Sequence, residues 1–329
     1  MLLLLAALPG LFWDGPADTT AAALREAGIK QIQVPAARLA EWKNVPDMAV
    51  EVADLQRAVK LLAPTVNYRM DQASASRAPW LMSNGWKFLR QSQGRFYYDV
   101  TGKTSAIAAA EAFCFGANAS ANAGGNAGAG VGGNAGANVM VRTDAAGLKP
   151  LAEMLEFLGS VNAEPLPLIA DIGFIDDGSG VSGEVMNMMV RDNLLFEIVA
   201  KPDPRLKLTV RLGAKEYPLA DAKNPGRVAQ TIRGNLTDEK RSVRIYGSPV
   251  VVARLTGSGG KVRLQLLNYT GATRNVDGIR VRVLGQFPKH QLAAAGSPGL
   301  ELVDYNVEAD ATEFTLPQLK TFAVIDLSR

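Results

Sequence analysis

The sequence predicts an α/β chain in two domains: a β/α barrel or barrel-like N-terminal domain over 10–241, then a C-terminal antiparallel β-sandwich over 242–329. Three observations carry this. Up to about residue 215, short apolar runs alternate with helical patterns, as parallel strands joined by helical crossovers require. The strand-like runs end in polar residues. Beyond 242 the helical patterning stops, and short alternating runs follow, separated by Gly, Asn, Asp and Pro.

Taken in order, "GLFWDG" is a short buried run, and "ADTTAAALREAG" is a helix that Asp18 or Thr19 caps and Gly28 ends. "KQIQVP" reads as a strand, "DMAVEVADLQRAVKLLA" as a helix and "TVNYRMD" as a strand. "RFYYDV" precedes an Ala-rich helix, and "NVMVRTD" precedes the helix "LKPLAEMLEFLG". "LIADIGFIDDGS" leads into "GEVMNMMVRDN", after which "LLFEIVA" and "LKLTVRLG" are strands and "PGRVAQTIRGNLTDEKR" is a helix. Repetition of this unit about eight times is what a β/α barrel requires. In the C-terminal part, "VRLQLLN" and "IRVRVLG" put Arg on one face and Val, Leu or Ile on the other, as in a sheet with one wet side. Regular turn spacing predicts a sandwich of about seven strands, with the boundary in 242–249.

The stretch 116–138, "GANASANAGGNAGAGVGGNAGAN", contains Gly128, Gly130 and Gly133 in the G-x-G-x-x-G spacing of dinucleotide-binding turns. A phosphate cradle must follow a strand and open a helix, and here a helix precedes and a strand follows. No Lys-Ser or Lys-Thr closes the glycines, so a P-loop is excluded as well. "GGNAG" occurs twice, and the stretch reads as an expanded, mobile helix-to-strand loop.

At 329 residues, 47% hydrophobic and 20% charged, the chain has room for two ordinary globular domains. With 35 basic against 32 acidic residues it lacks the electrostatic footprint of a nucleic-acid binder. One cysteine, Cys114, and one histidine, His290, argue against a disulfide, a zinc site or a Ser-His-Asp triad, so no metal or cofactor is expected. The opening "MLLLLAALPG" is too short to span a bilayer, and no membrane partner is expected. It resembles the apolar region of a secretory signal without its positive flank, which predicts a periplasmic or secreted protein and leaves a cytoplasmic one open. Alternatively, residues 2–8 simply lead into the first buried strand.

The strand ends carry Asp14, Asn67, Arg69, Asp71, Asp99, Arg142, Asp144, Asp176 and Asp177. In β/α barrels these ends converge on the face that holds the active site. Each Asp is equally a candidate helix cap or turn residue, Asp177 before "GSG" most clearly. Asp14 and Asp99 follow aromatic pairs, Phe12 with Trp13 and Tyr97 with Tyr98, and a ring beside a carboxylate is how sugar clefts combine a platform with acceptors. "NYRMDQASASRAPW" offers Arg69, Asp71, Gln72, Arg77 and Trp80 as a recognition loop or a solvated connection. Arg142 and Asp144 are two apart and share a strand face, which predicts an ion pair between them.

The plan resembles bacterial glycoside hydrolases in which a β/α barrel precedes a small β-sandwich. "LQLLNYTG", "IRVRVLG" and "FTLPQLKTFAVIDL" are similar to the closing sandwich of β-galactosidase-like and fucosidase-like enzymes, and "ADIGFIDDGSGVSGEVMNMMVRDNLLFEIV" resembles the opening of the amidotransferase-like domain found in such proteins. The sequence departs from them in lacking a strand-end Asn-Glu pair. The resemblance implies a carbohydrate ligand and a pair of catalytic carboxyl groups, about 5 Å apart for retention and about 6.5–9.5 Å for inversion. Asp99 and Asp144, ending consecutive strands, are the candidates for that pair, and Asp14, Trp13, Arg69, Asp71, Tyr98, Arg142 and Trp80 are the candidates for substrate binding. The alternatives are a carbohydrate-binding or scaffold protein that has lost the acid/base pair, and a homo-oligomeric assembly module with the sandwich as its interface.

Overall fold

The computed structural model describes residues 8–68, 79–116, 137–161 and 166–329. Arg69, Asp71, Gln72, Arg77, the leading run 1–7 and the Gly/Asn-rich stretch apart from its ends lie outside the described residues. In chain order the elements are β1 (Gly10–Phe12), α1 (Ala17–Glu26), β2 (Gln31–Val34), α2 (Leu39–Trp42), β3 (Ala49–Val52), β4 (Val59–Lys60), β5 (Thr65–Tyr68), β6 (Pro79–Met82) and α3 (Gly85–Arg90). They continue with β7 (Arg95–Val100), α4 (Thr104–Cys114), β8 (Asn138–Thr143), α5 (Ala145–Val161), β9 (Ile172–Ile175), α6 (Gly180–Arg191), β10 (Phe196–Ile198), β11 (Leu208–Arg211) and α7 (Pro225–Leu236). Eight strands close the chain: β12 (Val243–Tyr246), β13 (Val251–Ser258), β14 (Lys261–Asn268), β15 (Val276–Leu284), β16 (Lys289–Ala294), β17 (Val303–Val307), β18 (Ala311–Leu319) and β19 (Phe322–Ser328). Packing divides the chain into two compact units, Met1–Thr65 with Gln91–Pro165, and Val66–Arg90 with Leu166–Arg329. Among the described residues no helix is long and apolar enough to cross a membrane.

The first unit is built on a six-stranded sheet in the order β3-β2-β1-β8-β7-β4, and its strand pairs are parallel. The chain steps from β7 to β8 and from β1 through β2 to β3 in one direction, with β8 beside β1. Parallel crossovers are right-handed in nearly all proteins, so steps in one direction put their helices on one face of the sheet. Residues along a strand alternate faces. Phe96, Tyr98 and Val100 are buried, and Tyr98 donates to Glu111 of α4; Arg95, Tyr97 and Asp99 therefore point to the other face. Helix α4 is apolar almost all round, "SAIAAAEA", and is buried all round to match.

One expected helix is absent. The stretch "DMAVEVADLQRAVKLLA" forms β3, a 3₁₀ turn at Leu55–Arg57 capped by the Asp54 carboxylate, and β4. Its Val50, Val52 and Val59 are β-branched, and parallel pairing of Gln31–Val34 with Ala49–Val52 overrides the helical spacing. The barrel or barrel-like domain of the sequence reading is represented in the first unit by an open sheet: among the described residues, β3 and β4 stand at its edges, and no closed barrel is shown.

Another parallel sheet belongs to the second unit, where β9 lies between β10 and β11 with parallel pairing on both sides. Asp171, 1% exposed, accepts from the Ser242 amide at 2.9 Å, the Ser242 hydroxyl at 2.6 Å and the Lys207 ammonium at 2.8 Å, which ties the start of β9 to the start of β12. Just past α6, Asn193 takes a left-handed φ of 53°, and its side-chain amide bonds the backbone of Val251 and Ala253. The eight C-terminal strands form two antiparallel sheets, β12-β15-β18-β17 and β13-β14-β19-β16. Val243, Val281, Phe314 and Leu316 of one sheet and Val251, Leu264, Leu266 and Ile325 of the other share one buried core.

Candidate functional site

The site starts from the register of the first unit's sheet. Phe12 pairs with Gln33 on one side and with Arg142 on the other, Arg142 pairs with Asp99, and Gln33 pairs with Glu51. Paired residues of parallel strands share a face, so Glu51, Gln33, Phe12, Arg142 and Asp99 make one row across five strands, on the face opposite Tyr98 and α4. Two ion pairs complete it: Arg142 Nη2 lies 2.9 Å from Asp14 Oδ2, and Lys60 Nζ lies 2.7 Å from Asp99 Oδ2. The four side chains run in the order Asp14, Arg142, Asp99, Lys60, with alternating charge, at the C-terminal ends of β1, β8, β7 and β4. Their side chains are 49%, 40%, 35% and 57% exposed, so both pairs stand in water. The hydrogen bond to Asp99 raises the Lys60 ammonium above its ordinary pKa.

Each candidate residue has a definite place. Asp99 is in the row, bonded to Lys60. Asp144 is not: its Oδ1 accepts from the Gly147 amide at 2.9 Å and the Gly102 amide at 2.9 Å, so it caps α5 and staples the loop after β7 to the loop after β8. Among the described residues no hydrogen bond joins Asp99 to Asp144, and the expected ion pair between Arg142 and Asp144 is replaced by Arg142 with Asp14. Strand β8 ends at Thr143, and the chain turns there into α5, which carries Asp144 off the face that Arg142 occupies. Gly147 is needed for that turn, because a Cβ there would lie 1.9 Å from Thr143 Oγ1.

Trp13 donates its indole N–H to Thr20 Oγ1 at 2.9 Å and lies over Gly15, half-buried beside Asp14. Tyr98 is fully buried and spends its hydroxyl on Glu111 at 2.5 Å, so its ring belongs to the core. Trp80 belongs to the second unit, where the Arg191 guanidinium stacks 3.7 Å over its ring. Also in that unit, Asp176 forms a two-point pair with Arg90 at 2.8 and 2.6 Å. Asp177 accepts from the Ser182 hydroxyl at 2.6 Å and the Ser179 amide at 2.9 Å, which hold its carboxyl down to about 2. Among the described residues the carboxyl that is raised is Asp192, by desolvation, and it sits at the C-terminal end of α6 rather than at a strand end.

Sequence reasoning missed Lys60. It lies in the stretch read as helix, and the signal that finds it is the β-branched alternation of "AVEV" followed by "VK".

No protein-family model matches the chain, and no curated protein sequence matches it. Among solved structures, an α-L-fucosidase, isoenzyme 2 from Paenibacillus thiaminolyticus, superposes with a TM-score of 0.54 over 95% of this chain and 72% of that one, at 9% identity. This likeness is one of fold. An α-amylase from Geobacillus thermoleovorans matches 95% of this chain and 64% of that one at 11% identity, but its TM-score of 0.20 carries no argument. The chain thus resembles glycoside hydrolases in fold, as a mixed α/β protein with parallel and antiparallel sheets.

Proposed function

We propose that the chain is a glycoside-hydrolase-like protein that binds carbohydrate along the row Asp14, Arg142, Asp99 and Lys60 and lacks the acid/base pair needed to cleave it. One observation carries this reading: every candidate carboxylate on the described strand ends is already engaged, Asp99 by Lys60, Asp14 by Arg142, Asp144 by two amides and Asp176 by Arg90. A general acid must hold a proton near neutral pH, and burial or a neighbouring carboxylate is what allows that. Asp99, Asp14 and Asp176 instead each face a cation, and none of them is paired with a second carboxylate among the described residues. An ionised carboxylate next to an ammonium or guanidinium suits a different task, accepting from one sugar hydroxyl while its partner donates to the next.

In this reading the first unit is a β/α barrel remnant cut open between β3 and β4, the C-terminal strands are its sandwich, and the protein works in the periplasm or outside the cell. The fucosidase likeness supports a carbohydrate as ligand.

The test is a thermal shift with neutral saccharides alongside release of nitrophenol from nitrophenyl glycosides. The expected outcome is a higher melting temperature with sugar, as mass action requires, and no release above the spontaneous rate. One observation favours hydrolysis as a second reading: the Asp99 carboxylate is accessible to solvent beside the Lys60 ammonium. Sugar release that disappears in both Asp99→Asn and Asp144→Asn would establish that reading in place of the first.

A further inference from the structure

The second unit holds a cleft of about 500 Å³ lined by Gly285, Gln286, Pro288, Ala309, Asp310 and Arg329. Sites for small ligands typically span about 300–1,000 Å³. Two turns build this one. Gly285, just past β15, has a φ of 115° that suits glycine, and its amide donates to the Asp310 carbonyl at 2.7 Å. Two of the polar side chains are held by neighbours. Arg282, 7% exposed, holds Asp310 Oδ2 at 2.7 Å. Gln286 spends its amide nitrogen on the carbonyls of Glu308 at 3.0 Å and Ala309 at 3.1 Å, so its oxygen is the group left to offer. The cleft therefore presents two acceptors, on Asp310 and Gln286, one cationic donor, Arg329, and the apolar surfaces of Pro288 and Ala309.

We propose that this cleft is a carbohydrate-binding site for a neutral, hydroxyl-rich ligand of one or two sugar units. The charges choose the class. An anionic ligand would meet Asp310, and a cationic one would meet Arg329 and the Arg282 guanidinium behind Asp310. A sugar hydroxyl donates to the two acceptors and accepts from Arg329, so it satisfies all three groups without adding charge. The cleft shares no residue with the Asp14–Lys60 row, and binding here does not depend on that row.

The experiment is calorimetric titration of the full chain with maltotriose and methyl α-L-fucopyranoside as neutral probes and glucuronate as a charged one. It is repeated on Gln286→Ala, Arg329→Ala and Asp310→Asn, with Asp99→Asn as the control for the row. Gln286→Ala and Arg329→Ala leave the pair between Arg282 and Asp310 intact, so they report on the cleft even where Asp310→Asn unfolds. The expected result is a two-component neutral-sugar isotherm in which one component weakens about tenfold in the cleft variants, as loss of one hydrogen bond to a charged or fixed group implies, and that same component is retained in Asp99→Asn, where only the row's component weakens. The proposal is overturned if wild type binds neither neutral probe, or if glucuronate binds more tightly than both. It is also overturned if Gln286→Ala and Arg329→Ala bind as wild type does; where Asp99→Asn alone then abolishes binding, the row keeps its role and the cleft has none.

Discussion

Asp171, just before the parallel strand β9 of the second unit, and Asp99, within the parallel strand β7 of the first, are used in opposite ways. Asp171 is 1% exposed and satisfied by an amide, a hydroxyl and an ammonium. Asp99 is open to water and held by a lysine on a two-residue edge strand. The burial decides what each does. A buried carboxylate stripped of its donors has no water to replace them, so its network is structural. An exposed pair exchanges its partner for solvent at little cost, so a ligand competes for it on nearly equal terms.

The comparison is broken most directly by Asp171→Ala, which strands the buried Ser242 amide, while the Lys207 ammonium keeps the Lys240 carbonyl and the Ser242 hydroxyl. It should lower unfolding stability by about 3–5 kcal/mol in urea titrations; a loss below about 1 kcal/mol would mean that water reaches the network. Asn193→Ala should cost about 1–3 kcal/mol by the same measurement, because it removes two buried bonds to β13 at 3.0 and 2.6 Å.

Acid should act through depressed carboxyl groups of the second unit. The Ser182 hydroxyl and the Ser179 amide hold Asp177 at about 2, and Arg233 and Arg241 hold Asp238 at about 2, against an ordinary 3.8. A depressed folded pKa means that the stabilisation is present above the unfolded pKa and is lost as pH falls through the folded one. The melting temperature should therefore drop between about pH 4 and pH 2. Asp177→Asn should make that drop shallower; an unchanged profile would locate acid sensitivity elsewhere.

The smallest effect on stability belongs to Lys60→Met. Its pair is exposed, so the melting temperature should stay at the wild-type value, while sugar binding along the row weakens severalfold. A large fall in melting temperature would make the pair structural and Asp99 a counterpart of Asp171.

The C-terminal strands were readable because alternation of two residues per period and Gly or Asn turns leave few other folds for "VRLQLLN" and "IRVRVLG". The strand-to-helix units around "RFYYDV", "NVMVRTD" and "FIDDGS" were readable for a similar reason, each having a buried run before a helix, with a capping side chain in the last two. The stretch 47–63 was not, because its helical spacing competes with the short β-branched alternation of "AVEV" and "VK", and pairing of β3 with β2 decides between them. The site suffered the same limit. Asp14, Asp99 and Arg142 were visible as strand-end residues, but Asp144 looks alike in sequence and became a cap because it stands just past the end of β8, where its carboxylate meets the Gly147 and Gly102 amides.

By itself, then, the sequence determined which segments have a buried face and which residues stand at their ends, since period and punctuation are properties of neighbours along the chain. Which strand lies beside which, and so which aspartate meets a lysine, an arginine or two backbone amides, was decided by tertiary structure. Register joins residues far apart in sequence, such as Asp14 with Arg142 and Lys60 with Asp99, and no local pattern encodes that distance.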